Sequence, residues 1–393
     1  MNQQASNYEL RTTNYELSLQ NNELNCLLHR TYYKKRIFLT GHTGFKGAWL
    51  AEWLLQLGAE VHGYALEPAT TPSLFDQLGL ASRLHHQVGD VRNVKSIKQS
   101  ILSFQPDFVF HLAAQPLVRY GYQEPLETYE TNVMGTLHVL EALREFEKKS
   151  SKRIAAVMVT TDKCYENNED QTAYHEGHPL GGHDPYSSSK AMAEIGTAAY
   201  RRSYFSNNSL LHVATARAGN VIGGGDWAND RIVPDAIRAL EKKEAILVRN
   251  PFSIRPWQHV LEPLCGYLML GAKLSESSDL AGAFNFGPHA EENYSVADVV
   301  HEVLKHWPGS WQDVSDPTAL HEAKHLNLSI KKAIEVLGWR PVWNFEKTIA
   351  KTVEWYRVHH EDPKNAEVMT RKQIAAYQAD AELARIVINR EIC

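Results

Sequence analysis

Two short clusters carry residue types that move protons. Tyr186 and Lys190 stand four apart in Tyr186-Ser-Ser-Ser-Lys190, directly after Asp184-Pro185. In a helix that spacing puts both side chains on one face. A phenol titrates near 10 and is a poor base at neutral pH, so it needs positive charge beside it. Bringing it to about 7 takes roughly 4 kcal/mol of electrostatic help, and a neighbouring ammonium is one source. The pair alone is common by chance, and its ordinary meaning is a surface tyrosine beside a solvated lysine. The second cluster, Thr160-Thr161-Asp162-Lys163-Cys164-Tyr165, ends an apolar run. An adjacent Asp and Lys are ordinarily a surface ion pair. Cys164 has no histidine partner apparent in the sequence and reads as packing.

The elements around these clusters give them their weight. Arg36–Thr40 is a short apolar run that ends in Gly41-His-Thr-Gly44-Phe-Lys-Gly47. Leu50, Trp53, Leu54 and Leu57 then recur at helical spacing, Gly58 stops the helix, and Glu60–Ala65 reads as a second strand. This strand–turn–helix–strand order is the context in which glycines let a pyrophosphate approach a helix N-terminus. Thr43, Phe45 and Lys46 lie within the same turn. Further strands are expected at 84–89, 108–112, 153–160, 211–217 and 283–286, with helices at 94–104, 127–148, 185–205 and 260–274. The alternation predicts a Rossmann-type α/β fold with a doubly wound parallel sheet and a smaller C-terminal substrate-binding lobe. Residues 34–220 form the expected nucleotide-binding domain, with 259–287 returning to it. Residues 221–258 and 288–393 form the expected lobe. The glycine turn, the Thr-Asp-Lys cluster and the Tyr/Lys pair all fall where such sheets bind ligands, and a positively charged nicotinamide would be a second source of help for Tyr186.

The spacing of the three glycines resembles the short-chain dehydrogenase/reductase superfamily. Asp90-Val91-Arg92 and Leu112-Ala113-Ala114, each at a strand end, match its adenine and backbone-contact motifs. The acidic residue that usually holds the ribose hydroxyls of NAD is missing: the second strand ends Tyr64-Ala65-Leu66, and Glu67 comes one step late. NAD is the expected cofactor. Within the superfamily, Ala113–Arg119, Thr161–Tyr165, Arg217–Trp227 and Ile254–Val260 resemble the CDP-glucose 4,6-dehydratase family, over about residues 34–377. Lys163 and the block Gly223–Trp227 are the specific parts, since sister dehydratases commonly carry Glu at the former place.

The resemblance implies CDP-glucose as the nucleotide-sugar substrate and a homodimer or homotetramer. It implies that Tyr186 takes the proton of the sugar's 4-hydroxyl, that Lys190 lowers the phenol's pKa and holds the nicotinamide ribose, and that Thr161 bonds the 4-oxygen. Lys163 is then the expected base at carbon 5 and Asp162 the expected acid at the 6-hydroxyl. Asn220, Arg231 and Arg255 become candidate contacts for the nucleotide's diphosphate and ribose. Gln115, Arg119 and His259 are further candidate substrate contacts.

Composition excludes other classes. The chain has 393 residues, with 41 Lys and Arg against 46 Asp and Glu for a net charge of −5. That is a poor surface for nucleic acid. Four cysteines without a CxxC pair argue against a disulfide scaffold or zinc ribbon. No apolar run approaches membrane-spanning length, and the first residues lack the order of a secretory signal, so a cytoplasmic protein is expected. His321-Glu322-Ala-Lys-His325 formally matches a zinc motif but sits between Pro317 and a strand-like Leu326–Leu328, so no metal is expected. Trp307, Trp311, Trp339 and Trp343 read as packing. Residues 1–33 repeat Asn-Tyr-Glu-Leu and are polar. They are expected to be a dispensable, disordered tail.

Overall fold

The computed structural model describes residues 23–168, 172–205, 209–289, 291–316 and 326–392. In chain order the principal elements are α1 Glu23–Tyr32, β1 Arg36–Thr40, α2 Phe45–Gln56, β2 Glu60–Ala65, β3 His85–Val88, α3 Val94–Phe104 and β4 Phe108–His111. There follow α4 Gly135–Lys149, β5 Ile154–Val159, α5 Pro185–Ser203, β6 Leu211–Ala218, α6 Ile232–Glu241, α7 Leu261–Glu276 and β7 Ala283–Phe286. The chain closes with α8 Val296–His306, α9 Phe345–Glu361 and α10 Ala366–Ile392.

All seven numbered strands join one sheet in the order β7-β6-β5-β4-β1-β2-β3. Every neighbouring pair is parallel. Parallel strands covered on both faces must be apolar throughout, and β5 and β6 are buried at every residue. The order of strands reverses between β1 and β4, and the crevice at that switch point is where a doubly wound sheet binds its ligand. The predicted fold class is therefore borne out.

Three expectations need correction. Residues 23–32 are not a tail. Leu24, Leu28 and Tyr32 lie on one face of α1 and are buried, and the Tyr32 hydroxyl donates to the Leu268 carbonyl at 2.6 Å. The Asn/Gln-rich composition hid the i, i+4, i+8 apolar stripe. The Asn-Tyr-Glu-Leu repeat itself lies outside the described residues. Second, the helix expected over 127–148 is present but is not α-helical throughout. A short helix Pro125–Tyr129 runs into a π-helical turn, Glu130–Met134, before α4 begins. Third, α10 does not belong to a lobe above the strand ends. It runs back along α2: Tyr377 packs edge-on against Trp53 at 5.9 Å, and Arg371 bonds the buried Glu52 at 2.8 Å.

Trp339 and Trp343 are buried, with their indole N–H groups on the Glu262 carbonyl and Asp380. Trp307 and Trp311 pack beside His360 and His301. The HExxH-like stretch lies outside the described residues.

Candidate active site

The glycine turn opens directly from β1. Gly41 takes a left-handed φ of 77°, and a Cβ there would stand 2.6 Å from the Ala113 amide nitrogen. A Cβ on Gly47 would lie 2.0 Å from the Gly41 carbonyl oxygen, so both positions demand glycine. Thr40 clamps the crossing: its Oγ1 accepts from the Leu112 and Ala113 amides at 3.2 Å and pairs with His111 Nδ1 at 2.7 Å. Thr43 donates to the Leu66 carbonyl at 2.9 Å and ties the turn to the end of β2.

Gly44 differs from the other two glycines. It is exposed, it is the N-cap of α2 without a side-chain cap, and a Cβ there would meet only the Gly41 carbonyl at 3.5 Å. The uncapped N–H groups of α2 and the open space above Gly44 fit a dinucleotide's pyrophosphate. Ala114 lies on the irregular segment after β4, partly exposed beside this turn.

At the end of β5, Thr161 caps a short 3₁₀ turn, Asp162–Cys164, and so fixes the two residues after it. Its hydroxyl donates to Asp162 Oδ1 at 2.8 Å and, on the side of the Tyr186 phenol, favours ionisation of that group. One hydroxyl thus joins the two predicted clusters. Asp162 is only 1% exposed, and burial raises its carboxyl pKa against the charges of Lys163 and Arg255 and the Thr161 bond. Its Oδ2 has no hydrogen-bond partner. A Cβ on Gly219 would come within 3.1 Å of that oxygen, so Gly219 keeps the space beside it clear.

Tyr186 begins α5, where Asp184 caps the helix and Pro185 supplies its first position. Crowding by protein pushes the phenol up to about 12; the Thr161 bond and the Arg231 charge pull the other way. Lys190 lies one turn on, 5% exposed, with Nζ 3.4 Å from the Val159 carbonyl, and burial lowers it to about 8. The helical face holds as predicted, but Arg231 is the cation whose charge lowers the phenol's pKa.

Lys46 enters the centre unexpectedly. Its ammonium lies 3.4 Å from the Tyr267 hydroxyl of α7. Burial lowers it to about 7, the charges of Arg231 and Lys190 add to that effect, and Asp162 opposes it. Sequence reasoning had placed Lys46 in the glycine turn, but nothing local reveals where its long side chain reaches. Tyr267 gave no signal at all, being one more apolar-face residue of a buried helix.

Asn132 is the other omission. Wholly buried in the π turn, it accepts from the Gln115 amide at 2.8 Å and donates to the Gln115 carbonyl and to Ser189 Oγ at 3.0 and 2.9 Å. It holds the segment after β4 against α5. The bulge turns this side chain inward, a common use of π-helical turns.

The candidate nucleotide contacts divide. Arg231 pairs with Asp226 at 2.8 Å and faces Tyr186 and Lys46; Arg255 is buried near Asp162; Asn220 lies just beyond β6, its carbonyl bound to the Gln258 amide. Arg119 lies at the outer edge, half-exposed, 3.6 Å from Asp230. Gln115 is not available as expected: its amide donates to Thr128 at 2.8 Å and accepts from Leu117 at 2.5 Å, which shapes its own loop. His259 is also not a substrate contact. It is completely buried, edge-on to Trp49 and Trp343, and held neutral with a pKa near 3 by burial.

Of the adenine-motif residues, Asp90 is bound by Arg92 through the backbone amide and Nε, both at 2.8 Å. Val91 is buried, its carbonyl bonded to His138. Burial raises the Cys164 thiol well above its usual range, so it is no nucleophile.

A parallel doubly wound sheet, a glycine turn at its switch point and a Tyr-x-x-x-Lys helix joined through threonine to a buried Asp define a short-chain dehydrogenase/reductase-type enzyme. The family model described as GDP-mannose 4,6 dehydratase matches residues 38–352. The chain is 45% identical over 330 residues to the CDP-glucose 4,6-dehydratase of Salmonella typhimurium, covering 82% of this chain and 90% of that one. It is 28% identical over 338 residues to a probable dTDP-glucose 4,6-dehydratase of Sinorhizobium fredii, covering 82% and 92%. A solved dTDP-glucose 4,6-dehydratase from Bacillus anthracis, in complex with NAD, shares the fold with a TM-score of 0.70 at 20% identity, covering 83% of this chain and 98% of that one. The chain belongs to the nucleotide-sugar 4,6-dehydratase family.

Proposed function

We propose that the chain dehydrates CDP-glucose to CDP-4-keto-6-deoxyglucose with NAD as a regenerated cofactor, the hydrogen of carbon 4 ending on carbon 6. The observation that carries this reading is the cluster of Tyr186, Thr161 and Asp162: the Thr161 hydroxyl holds Asp162 at 2.8 Å and favours ionisation of the phenol, while burial raises the Asp162 carboxyl. The 45% identity to a CDP-glucose 4,6-dehydratase supports the choice of nucleotide.

NAD, when bound, supplies the hydride acceptor and donor. The uncapped N–H groups of α2 and Lys46 would bind its pyrophosphate side, with Lys190 at the ribose. Tyr186 takes the proton of the 4-hydroxyl, and Thr161 holds the 4-oxygen. A phenol at about 12 is too basic to be ionised at neutral pH, so the cations around it must act when substrate is bound. The new 4-ketone acidifies carbon 5, where Lys163 takes the proton. Asp162, whose acid form burial favours, protonates the departing 6-hydroxyl from Oδ2. Arg231, Arg255 and Asn220 hold the diphosphate and ribose, and two guanidinium forks suit those oxygens.

Among the described residues no helix is long and apolar enough to cross a membrane. The buried cysteines Cys164 and Cys265 are free thiols, which supports a reducing, cytoplasmic setting. Exposed Met192 and Ile195 on α5 support association of copies through that helix.

The test is a turnover panel of CDP-glucose, dTDP-glucose, UDP-glucose and GDP-mannose, scored for 4-keto product, with CDP-glucose deuterated at carbon 4. CDP-glucose should be preferred and the label should appear at carbon 6. Net accumulation of reduced cofactor, or preference for another nucleotide, would overturn the assignment.

A further inference from the structure

A cavity lies further along α5 from Tyr186, toward the C-terminal end of that helix. Its volume is about 510 Å³, within the range of small-molecule sites. Arg201 and Arg202 at the end of α5, Arg217 on β6 and Lys332 line it, against the carboxylates of Glu176 and Glu194. Four cationic side chains thus face two carboxylates.

Both carboxylates are already engaged. Glu194 pairs with Arg217 at 2.8 Å and also accepts from Thr160 and Thr215 at 2.5 and 2.8 Å. Glu176 accepts from the Asn285 amide at 2.8 Å. Arg217 still has a buried Nε without a partner, although its other nitrogens reach Glu194 and the Tyr165 hydroxyl.

Arg201 is the more telling residue. Its Nη1 is buried and has no hydrogen-bond partner, and no carboxylate of the described residues lies within ion-pair distance of it. Lys332 donates to the Ala283 carbonyl at 2.7 Å and keeps two further protons to donate. Burial lowers both Arg201 and Lys332; Glu194 opposes this at Arg201 and Glu176 at Lys332, while the charge of Arg217 adds to the lowering of each. Cations crowded together out of water, with donors unused, are unfavourable until an anion joins them.

We propose that this cavity is a second ligand site, distinct from the nucleotide-sugar cleft, that takes a phosphate-type oxyanion through Arg201, Arg217 and Lys332. Guanidinium forks match the oxygens of a phosphoryl group two at a time, and an ammonium supplies a third point of contact. The room beyond the oxyanion admits a phosphomonoester as well as free phosphate. Lys190 and Glu194 lie one turn apart on α5, so the site adjoins the catalytic residues along one face of that helix.

The experiment titrates inorganic phosphate, pyrophosphate and glucose 1-phosphate, each alone, into the full-length enzyme by calorimetry. NAD and CDP are kept saturating throughout, so that the main cleft is filled. Saturable binding should be seen with at least one probe, and Arg201→Gln and Lys332→Gln should each weaken it about tenfold or more, as expected for loss of a charge-assisted contact. Tighter binding of glucose 1-phosphate would assign the site to a phosphorylated sugar; equal or tighter binding of phosphate would assign it to the free ion. Turnover of CDP-glucose by both variants in phosphate-free buffer should match the parent. Absence of saturable heat with all three probes, or unchanged affinity in a folded Lys332→Gln variant, would overturn the proposal. The comparison between variants and parent assigns the heat to this cavity whatever the main cleft binds.

Discussion

Replacing Asp162 by Asn should separate oxidation of the sugar from loss of its hydroxyl. Asp162 is 1% exposed, with Oδ1 held by Thr161 at 2.8 Å, and burial favours its neutral form. In the acid form the proton it can transfer belongs on Oδ2, the oxygen with no protein partner and with clear space toward Gly219. Asparagine has the same shape, and its carbonyl can keep the Thr161 bond, but its amide has no acidic proton to give. Loss of a general acid costs about 10²–10⁴ in rate, or roughly 2.7–5.4 kcal/mol of barrier at 1.36 kcal/mol per tenfold. Tyr186, Thr161 and Lys190 remain, so carbon 4 should still be oxidised. The assay is a single turnover with CDP-glucose and NAD, following reduced nicotinamide by absorbance and 4-keto-6-deoxy product by quenched sampling. Product formation should fall by the stated factor while enzyme-bound NADH rises toward one per site. An Asn variant that turns over at the parent rate would remove Asp162 from the elimination. So would a variant that loses oxidation and elimination in equal measure.

Lys163→Met should likewise retain oxidation but stop exchange of solvent deuterium into carbon 5; exchange at the parent rate would mean another residue is the base. Tyr186→Phe should abolish formation of reduced cofactor in a single turnover, and normal reduction would move the base elsewhere. Leu28→Ala should cost about 2–5 kcal/mol in urea unfolding, as for other buried leucines, because Leu28 is fully buried beneath α1; a change under about 0.5 kcal/mol, as at surface sites, would mean that α1 is not docked. Glu262 is wholly buried and raised to about 7 by burial, against three hydrogen bonds that lower it. The folded state therefore keeps a proton that the unfolded state, titrating near 4.3, has lost. Stability should fall as pH rises through this window, by roughly 3–4 kcal/mol in total. Glu262→Gln should flatten that decline in denaturation series run across the window, and an unchanged slope would contradict the assignment.

Some of this protein is written in local pattern. Alternating apolar strands and amphipathic helices specify a parallel sheet because each strand must bury both faces and each crossover must cover one. The glycine turn, the Thr161–Lys163 cluster and the Tyr186/Lys190 pair are legible for the same reason: each acts within a few residues, where backbone geometry alone decides which side chains share a face.

What acts over distance was decided only by tertiary packing. Burial of Asp162 and its approach to Gly219 and Arg255 depend on segments 57 and more residues away, and desolvation by them sets its protonation. The same holds for Lys46, which meets Tyr267 across 221 positions, and for His259, whose aromatic neighbours on α2 and before α9 turn a candidate ligand into core. Gln115 looked free because its partners, Thr128 in the short helix and Asn132 in the π turn after it, meet it only through a fold of the chain that a sequence period cannot reveal. Helix α1 was invisible for a related reason: its polar composition says nothing of the groove between α7 and α10 into which three of its side chains pack. Period and propensity are properties of a window of residues, whereas desolvation and partner choice belong to the three-dimensional neighbourhood.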